Sequence, residues 1–154
     1  MHFSTRRTVR FADCDPAGIV FFPHYMVMLN TVVEEWFDDG LRIPYADLIG
    51  ARRTGLPSVR LEVDFTAISR HGDVLTQQVG LDRLGRSSLT LRHEFLGAAA
   101  AGAPGDSQGL ELRLRARQVL VCTSLVTHKP QALPDDLRAA LLPYLNHPPS
   151  ESPA

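Results

Sequence analysis

Asp15 heads a turn-forming segment, Pro16-Ala17-Gly18, within Asp13-Cys14-Asp15-Pro16-Ala17-Gly18-Ile19-Val20-Phe21-Phe22-Pro23-His24-Tyr25. An apolar run carries the chain from this turn to Pro23, where a helical pattern begins. The chemistry open to that order is acyl transfer. A carboxylate acts as nucleophile or general base. The first N–H groups of a helix have no partner within it, and with the positive end of the helix dipole they favour charge developing on a carbonyl oxygen. Donors fixed in place for such an oxyanion are typically worth about 3 kcal/mol each. Asp before Pro-Ala-Gly is also sound turn chemistry in its own right. The residues alone therefore leave Asp15 either as turn former or as catalytic carboxylate.

The neighbouring reactive groups point less clearly to chemistry. Asp13 reads as a local partner that shapes the loop. Cys14 has no evident base beside it and reads as a buried structural thiol. His2, His24, His71, His93, His128 and His147 show no metal-ligand spacing, so no metal and no cofactor are expected. His24 lies at the helix start, within reach of anything bound there. His93 falls on an apolar strand face and reads as a satisfied core residue. Tyr25 and Trp36 fit an apolar core stripe.

The element that must position these groups is a helix. From Pro23 to Asp39, Tyr25, Met28, Leu29, Val32, Val33, Trp36 and Phe37 recur at spacings of three and four. That is the stripe of a helix of about four turns buried on one side. Pro23 suits the first helical position and Gly40 the C′ position. The cap position then falls on Phe22, which has no side-chain acceptor. The N–H groups around Phe22, His24 and Tyr25 must find water, a neighbouring loop or a ligand. Asp38 and Asp39 run against the dipole at the far end, for no reason visible in the sequence.

Strand patterns surround the helix. Val9 and Phe11 share one parity in a short segment from Thr5 to Phe11. After a connection from Leu41 to Gly55 with a short helical piece, Val59, Leu61, Val63, Phe65 and Ala67 alternate with polar residues as in a half-buried strand. Ser69 to Asp73 turns at Gly72, and Leu75, Val79 and Leu81 resume the pattern, with Gln77 interrupting it. Leu84-Gly85-Arg86 turns into Leu89, Leu91, His93 and Phe95. Gly97 to Gly109 is a loop rich in Ala and Gly. Leu110, Leu112, Leu114 and Ala116 alternate, and the parity then shifts to Val119 and Val121, which predicts a bulge near Arg117-Gln118. Pro134-Asp135-Asp136 opens a short helix, Leu137 to Leu142, stopped by Pro143.

The sum is an α+β fold, an antiparallel sheet wrapped around one long central helix. With 154 residues it is expected as a single domain over 1–145, followed by a flexible tail over 146–154. A net charge of −1 provides no long-range attraction to nucleic acid or to a membrane surface, and neither partner is expected. Two cysteines without paired spacing, and two N-terminal arginines without an apolar run behind them, lead to a cytoplasmic expectation. Open sheet edges invite self-association.

The segment from Asp13 to Tyr25 resembles the signature of hotdog-fold acyl-CoA thioesterases of the 4-hydroxybenzoyl-CoA thioesterase type, most closely in Asp15-Pro16-Ala17-Gly18-Ile19-Val20 and in Pro23 and Tyr25. The similarity extends to about Leu142. It implies the hotdog fold, a homodimer with active sites at its interface, and pairing of dimers into a homotetramer. It also implies Asp15 as the catalytic nucleophile or general base and the backbone N–H of Phe22 as the group that polarises the thioester carbonyl. His24 and Tyr25 adjoin them as substrate contacts. Asn30 falls where the 4-hydroxybenzoyl enzyme carries the carboxylate that recognises the ring hydroxyl, and His24 where the family commonly has Asn. Ser58 and Val59 match a region lining the acyl pocket across the dimer. Arg86 and Ser87 fall at the basic cluster that meets the nucleotide end of coenzyme A. Phe22 replaces the His of the Tol-Pal-associated branch.

The resulting expectation is an acyl-CoA thioesterase that releases a free acid and CoA. Its acyl group is aromatic or short to medium in length. Hydrolysis of an acyl group from acyl carrier protein is the rival within enzymes. A non-catalytic or dehydratase-like acyl-CoA-binding protein, the latter using His24, is the rival outside hydrolysis.

Overall fold

One apolar helix face and one apolar sheet face bury each other in this protein. The computed structural model describes residues 1–146. In chain order the elements are β1 (Phe3–Thr8), a 3-10 turn (Phe11–Asp13), α1 (Phe22–Glu35), a π turn (Trp36–Leu41), α2 (Tyr45–Ile49), β2 (Thr54–Gly55), β3 (Ser58–Phe65), β4 (Val74–Leu84), β5 (Ser88–Ala98), β6 (Leu110–Val121), β7 (Thr123–Ser124), α3 (Asp135–Leu141) and a 3-10 turn (Leu142–Tyr144). The main sheet has five strands in the order β1-β4-β5-β6-β3, every neighbouring pair antiparallel. β2 and β7 form a separate ribbon. Tyr25, Met28, Leu29, Val32 and Val33 of α1 are buried in one cluster with Leu75, Val79, Leu81, Leu89, Leu91, Phe95, Leu114 and Ala116 of the sheet. This is the expected α+β arrangement.

Several boundaries differ from expectation for local reasons. The α-helix ends at Glu35, and the remaining expected residues wind into the wider turn from Trp36. The left-handed residue that ends this turn is Arg42, at φ 58°, and not Gly40. Gly40 is required for space: a Cβ there would lie 2.7 Å from Trp36 Cδ1 and 3.0 Å from the Tyr144 hydroxyl. Asp38, which opposes the α1 dipole, accepts the Tyr45 N–H at 2.7 Å and so satisfies a first-turn donor of α2. Phe11 leaves β1 for the 3-10 turn and is 81% exposed, while Val9 is buried as expected.

The bulge in β6 lies at Arg113, where the register with β5 slips between Phe95/Leu114 and Leu96/Leu112, and not at Arg117-Gln118. Past it the buried parity runs unbroken through Leu114, Ala116, Gln118 and Leu120. The apparent parity change was a buried polar residue. The bulge leaves the Arg113 guanidinium buried, donating to the Ile68 carbonyl and the Asp73 carboxylate at 2.9 Å and to the Ala98 carbonyl at 2.7 Å. It thereby pins the loop between β3 and β4. β3, expected to be half-buried, is exposed along most of its length because it is an edge strand that α1 reaches only near Phe65, whose ring centre lies 5.7 Å from that of Tyr25. Residues 147–154, most of the expected tail, lie outside the described residues, and Asn146 itself donates its N–H to the Leu81 carbonyl at 2.9 Å. No helix among the described residues is long and apolar enough to cross a membrane.

The close approach at Gly40 has a direct consequence for stability. Gly40→Ala is expected to destabilise the fold by about 1–3 kcal/mol through overpacking, seen in thermal unfolding as a Tm lowered by several degrees.

Candidate active site

The Asp15 loop is a tight return. Asp15 Oδ1 accepts the Ala17 N–H at 2.9 Å, the Asp15 carbonyl accepts the Gly18 N–H at 3.0 Å, and the Asp15 N–H donates to the Ile19 carbonyl at 3.0 Å. Gly18 takes φ +77°, a conformation that favours glycine. Cys14 then pairs with Val20 in an antiparallel bridge, and the Phe21 N–H donates to the Asp13 carbonyl at 2.9 Å. The returning strand runs directly into α1, with Phe21 as the cap residue and no side-chain cap. The cap thus sits one residue earlier than expected, with the same deficiency. The His24 N–H folds back on the Phe21 carbonyl at 2.8 Å. Pro23 has no N–H, and no group among the described residues accepts the Phe22 N–H. The Phe22 amide is left free at the helix start.

Asp15 lines a groove of about 440 Å3 with Phe11, Cys14, Pro16, Gly18 and His71. Oδ1 is held by the turn, and Oδ2 has no hydrogen-bond partner among the described residues. The half-buried Cys14 thiol is pushed above its ordinary pKa by desolvation and then by the Asp13 and Asp15 carboxylates, which keeps it a protonated thiol. His24 Nδ1 lies 3.8 Å from Asp13 Oδ1. Phe22, with its side chain exposed, and buried Tyr25 border a second cleft of about 330 Å3, together with Phe65, Ile68 and Ser69. Burial raises the Tyr25 phenol, against the opposing effect of a hydrogen bond with Ser69.

A third cavity, about 320 Å3, opens between α1, α2 and β3. It brings together Asn30 and Ser58, two residues expected at the acyl group from distant parts of the chain, with Tyr45, Leu56 and Gln118. Asn30 Nδ2 donates to Glu34 Oε1 at 2.9 Å, and Ser58 Oγ accepts from Gln118 Nε2 at 2.7 Å. Val59, the extra residue in the β3 register, is 61% exposed and lines none of these openings. Arg86 and Ser87 sit at the β4–β5 hairpin, also outside them. Their carbonyls accept from Leu133, Arg138 and Cys122, while the Arg86 side chain is exposed. A single chain thus divides most of the expected site residues among three openings and one hairpin, with His24 and Val59 in none of them.

Sequence reasoning missed Gln118 and understated His93. The signal was present as a polar residue at the core parity of β6. His93 Nε2 meets Gln118 Oε1 at 2.9 Å in the sheet interior.

Residues 9–141 match the sequence profile described as the thioesterase-like superfamily. The chain belongs to this superfamily. Among curated relatives, it is 29% identical over 117 residues to a 4-hydroxybenzoyl-CoA thioesterase of Pseudomonas sp. (strain CBS-3), covering 75% of this chain and 79% of the relative. It is 27% identical over 146 residues to a 1,4-dihydroxy-2-naphthoyl-CoA hydrolase of Synechocystis sp., covering 95% and 98%. The crystal structure of a 1,4-dihydroxy-2-naphthoyl-CoA thioesterase from Synechocystis superposes with a TM-score of 0.78 at 25% identity, covering 96% of this chain and all of that one. The hotdog fold expected from the Asp13–Tyr25 segment is therefore the fold of this superfamily member, and its enzyme class is thioester hydrolase.

His93 carries a pH dependence within this thioesterase fold. Burial lowers its pKa from 6.5 to about 4, with the Gln118 hydrogen bond opposing the shift. Between those values the unfolded chain takes up a proton that the folded chain refuses, so stability falls as pH drops from 6.5 towards 4. The expected loss is on the order of 3 kcal/mol. His93→Gln should flatten this segment of the profile when urea midpoints are measured across that window.

Proposed function

We propose that this protein hydrolyses acyl-CoA thioesters through the Asp15 carboxylate and the Phe22 backbone amide. The observation that carries this reading is the Phe22 N–H, left without an acceptor at the start of a 14-residue helix that is launched from the Asp15 turn. A thioester carbonyl accepting that N–H is polarised by a donor aligned with the helix dipole, in the place where an oxyanion grows. Asp15, through its free oxygen, then either attacks the carbonyl carbon to give an acyl anhydride or removes a proton from attacking water. The thiolate of CoA leaves, and water completes release of the acid.

The acyl group belongs, on this reading, in the cavity holding Asn30 and Ser58. Its apolar walls suit an aromatic ring, and its polar groups suit a ring substituent that hydrogen-bonds. Hydroxylated aromatic acyl groups of the kind named for the two curated relatives fit that description. His24 and Tyr25 flank the reacting carbonyl, and Arg86 and Ser87 are the candidates for the phosphates of CoA.

The working unit is a homodimer formed along β3. This edge strand exposes Val59, Leu61 and Phe65 beside unpaired backbone groups. Both the Phe22 cleft and the Ser58 cavity border the same strand, one at each end. A second chain laid along it would close both and let the partner's Asp15 loop contribute to one enclosed site.

Asp15→Asn is expected to reduce kcat for aromatic CoA esters by about two to four orders of magnitude, while calorimetry still detects ester binding. Unchanged turnover would rule out the role assigned to Asp15, and loss of activity only in His24→Ala would instead favour the dehydratase-like reading, for which Asp13 beside His24 provides a carboxylate partner. Leu61→Lys should convert the dimer to monomer in light scattering and abolish turnover with Asp15 intact.

A further inference from the structure

A line of hydrogen bonds runs from the middle of the sheet to the cavity between α1 and β3. It starts at His93 on β5, which is fully buried. It passes to Gln118 on β6, 6% exposed, through His93 Nε2 and Gln118 Oε1 at 2.9 Å. It ends where Gln118 Nε2 donates to Ser58 Oγ at 2.7 Å.

The direction of this line follows from the inventory of donors and acceptors. A glutamine amide has its acceptor on one branch and its donors on the other. With the donors at Ser58, the carbonyl faces His93, and His93 must carry its proton on Nε2. Its Nδ1 is then a lone-pair acceptor, and it is buried without a partner among the described residues. Reversing the line would turn Nε2 into the acceptor and move the proton to Nδ1. A buried N–H with no acceptor would result, the rarer and costlier kind of orphan. The histidine therefore locks the glutamine, and the glutamine locks the serine. Because Ser58 Oγ already receives an N–H, the hydroxyl is left to present its own proton as a donor.

The opposite polarity stands elsewhere in the same cavity. Asn30 Nδ2 is held by Glu34 Oε1 at 2.9 Å, which leaves Asn30 Oδ1 as an acceptor. A fixed donor and a fixed acceptor in one apolar cavity complement a hydroxyl group, which both accepts and donates. We propose that His93 and Gln118 are positioning residues that make Ser58 a one-way hydrogen-bond donor to an oxygen carried by the bound acyl group. This rests on the reading that the Ser58 cavity holds the acyl group.

The test is a selectivity ratio, which a merely structural role would not move: kcat/KM for the preferred ester among 2-, 3- and 4-hydroxybenzoyl-CoA divided by that for benzoyl-CoA. Ser58→Ala is expected to lower this ratio about tenfold, the worth of one neutral hydrogen bond at the upper end of its range. Gln118→Met should lower it to a similar extent, and the double variant no further, since both remove the same donor. His93→Phe should lower the ratio, and His93→Gln, which restores an N–H to Gln118 Oε1, should recover it. Equal losses on both esters in Gln118→Met, or additive losses in the double variant, would overturn the proposal. If the two core variants do not fold, an unchanged ratio in Ser58→Ala overturns it alone, because that side chain lies at the surface end of the line. Dissociation constants of the same esters, measured by calorimetry on the Asp15→Asn protein with and without Ser58→Ala, separate the two readings. Selective binding without hydrolysis by the wild-type protein sinks the thioesterase mechanism and leaves the positioning line standing. Hydrolysis with a ratio indifferent to Ser58 does the reverse.

Discussion

The hydrogen bond from the Phe21 N–H to the Asp13 carbonyl, 2.9 Å long, is the tie on which the site depends. It closes the Asp15 loop on itself and fixes where α1 begins. With Phe21 as cap, the first turn of the helix is short of ordinary donors. Pro23 has none to give, and His24 turns back to the Phe21 carbonyl. The Phe22 amide is what remains, and no side chain is positioned to cap it. A Ser or Asp cap would have stabilised the helix by about 1 kcal/mol, with a polar side chain standing over the Phe22 amide. The missing cap is a local cost that keeps the helix start open.

The remainder of the fold holds that start still. α1 is seated by its buried stripe against β4, β5 and β6, so it has no freedom to slide. The bulge at Arg113 extends this control to the loop between β3 and β4. The guanidinium ties the Ile68 carbonyl, the Asp73 carboxylate and the Ala98 carbonyl together from inside the sheet, and so sets the wall of the Phe22 cleft. A buried charge is costly unless it is paired, and the bulge brings this one to Asp73 and Glu111, each 2.9 Å away. Gln77 is a further buried polar residue of the sheet, accepting from Arg7 Nε at 2.9 Å. The core of this small sheet is therefore apolar under the helix and polar where strands must hold loops or cavity walls in a set orientation.

β3 is an open edge of the main sheet. Its apolar side chains share the helix-facing side of the sheet with Leu114 and Ala116, α1 reaches them only at Phe65, and its backbone edge is open. Openings at the two ends of this strand account for Phe22 and Tyr25 on one side and Asn30 and Ser58 on the other. Long apolar edges are avoided in proteins that remain monomeric. The exposed strand and the scattered site residues are thus two aspects of one arrangement.

Much of this was determined by the sequence alone. The spacing of Tyr25, Met28, Leu29, Val32 and Val33 fixed the central helix, and the alternation from Leu75 to Ala116 fixed the sheet that covers it, because period and polarity are local properties of a chain. The Asp15 turn and the bare helix start were legible for the same reason. Tertiary structure alone decided what depends on residues distant in the chain. Gly40 answers to the Trp36 ring and not to handedness, the π turn replaces the last helical turn, and Asp38 serves α2 rather than its own helix. Gln118 looked like a break in the β6 pattern because its partners, His93 and Ser58, lie 25 and 60 residues away in sequence. Likewise, no alternation pattern states whether a strand lies at the centre or the edge of a sheet. The exposure of β3 was set by strand order, which is a property of the whole fold.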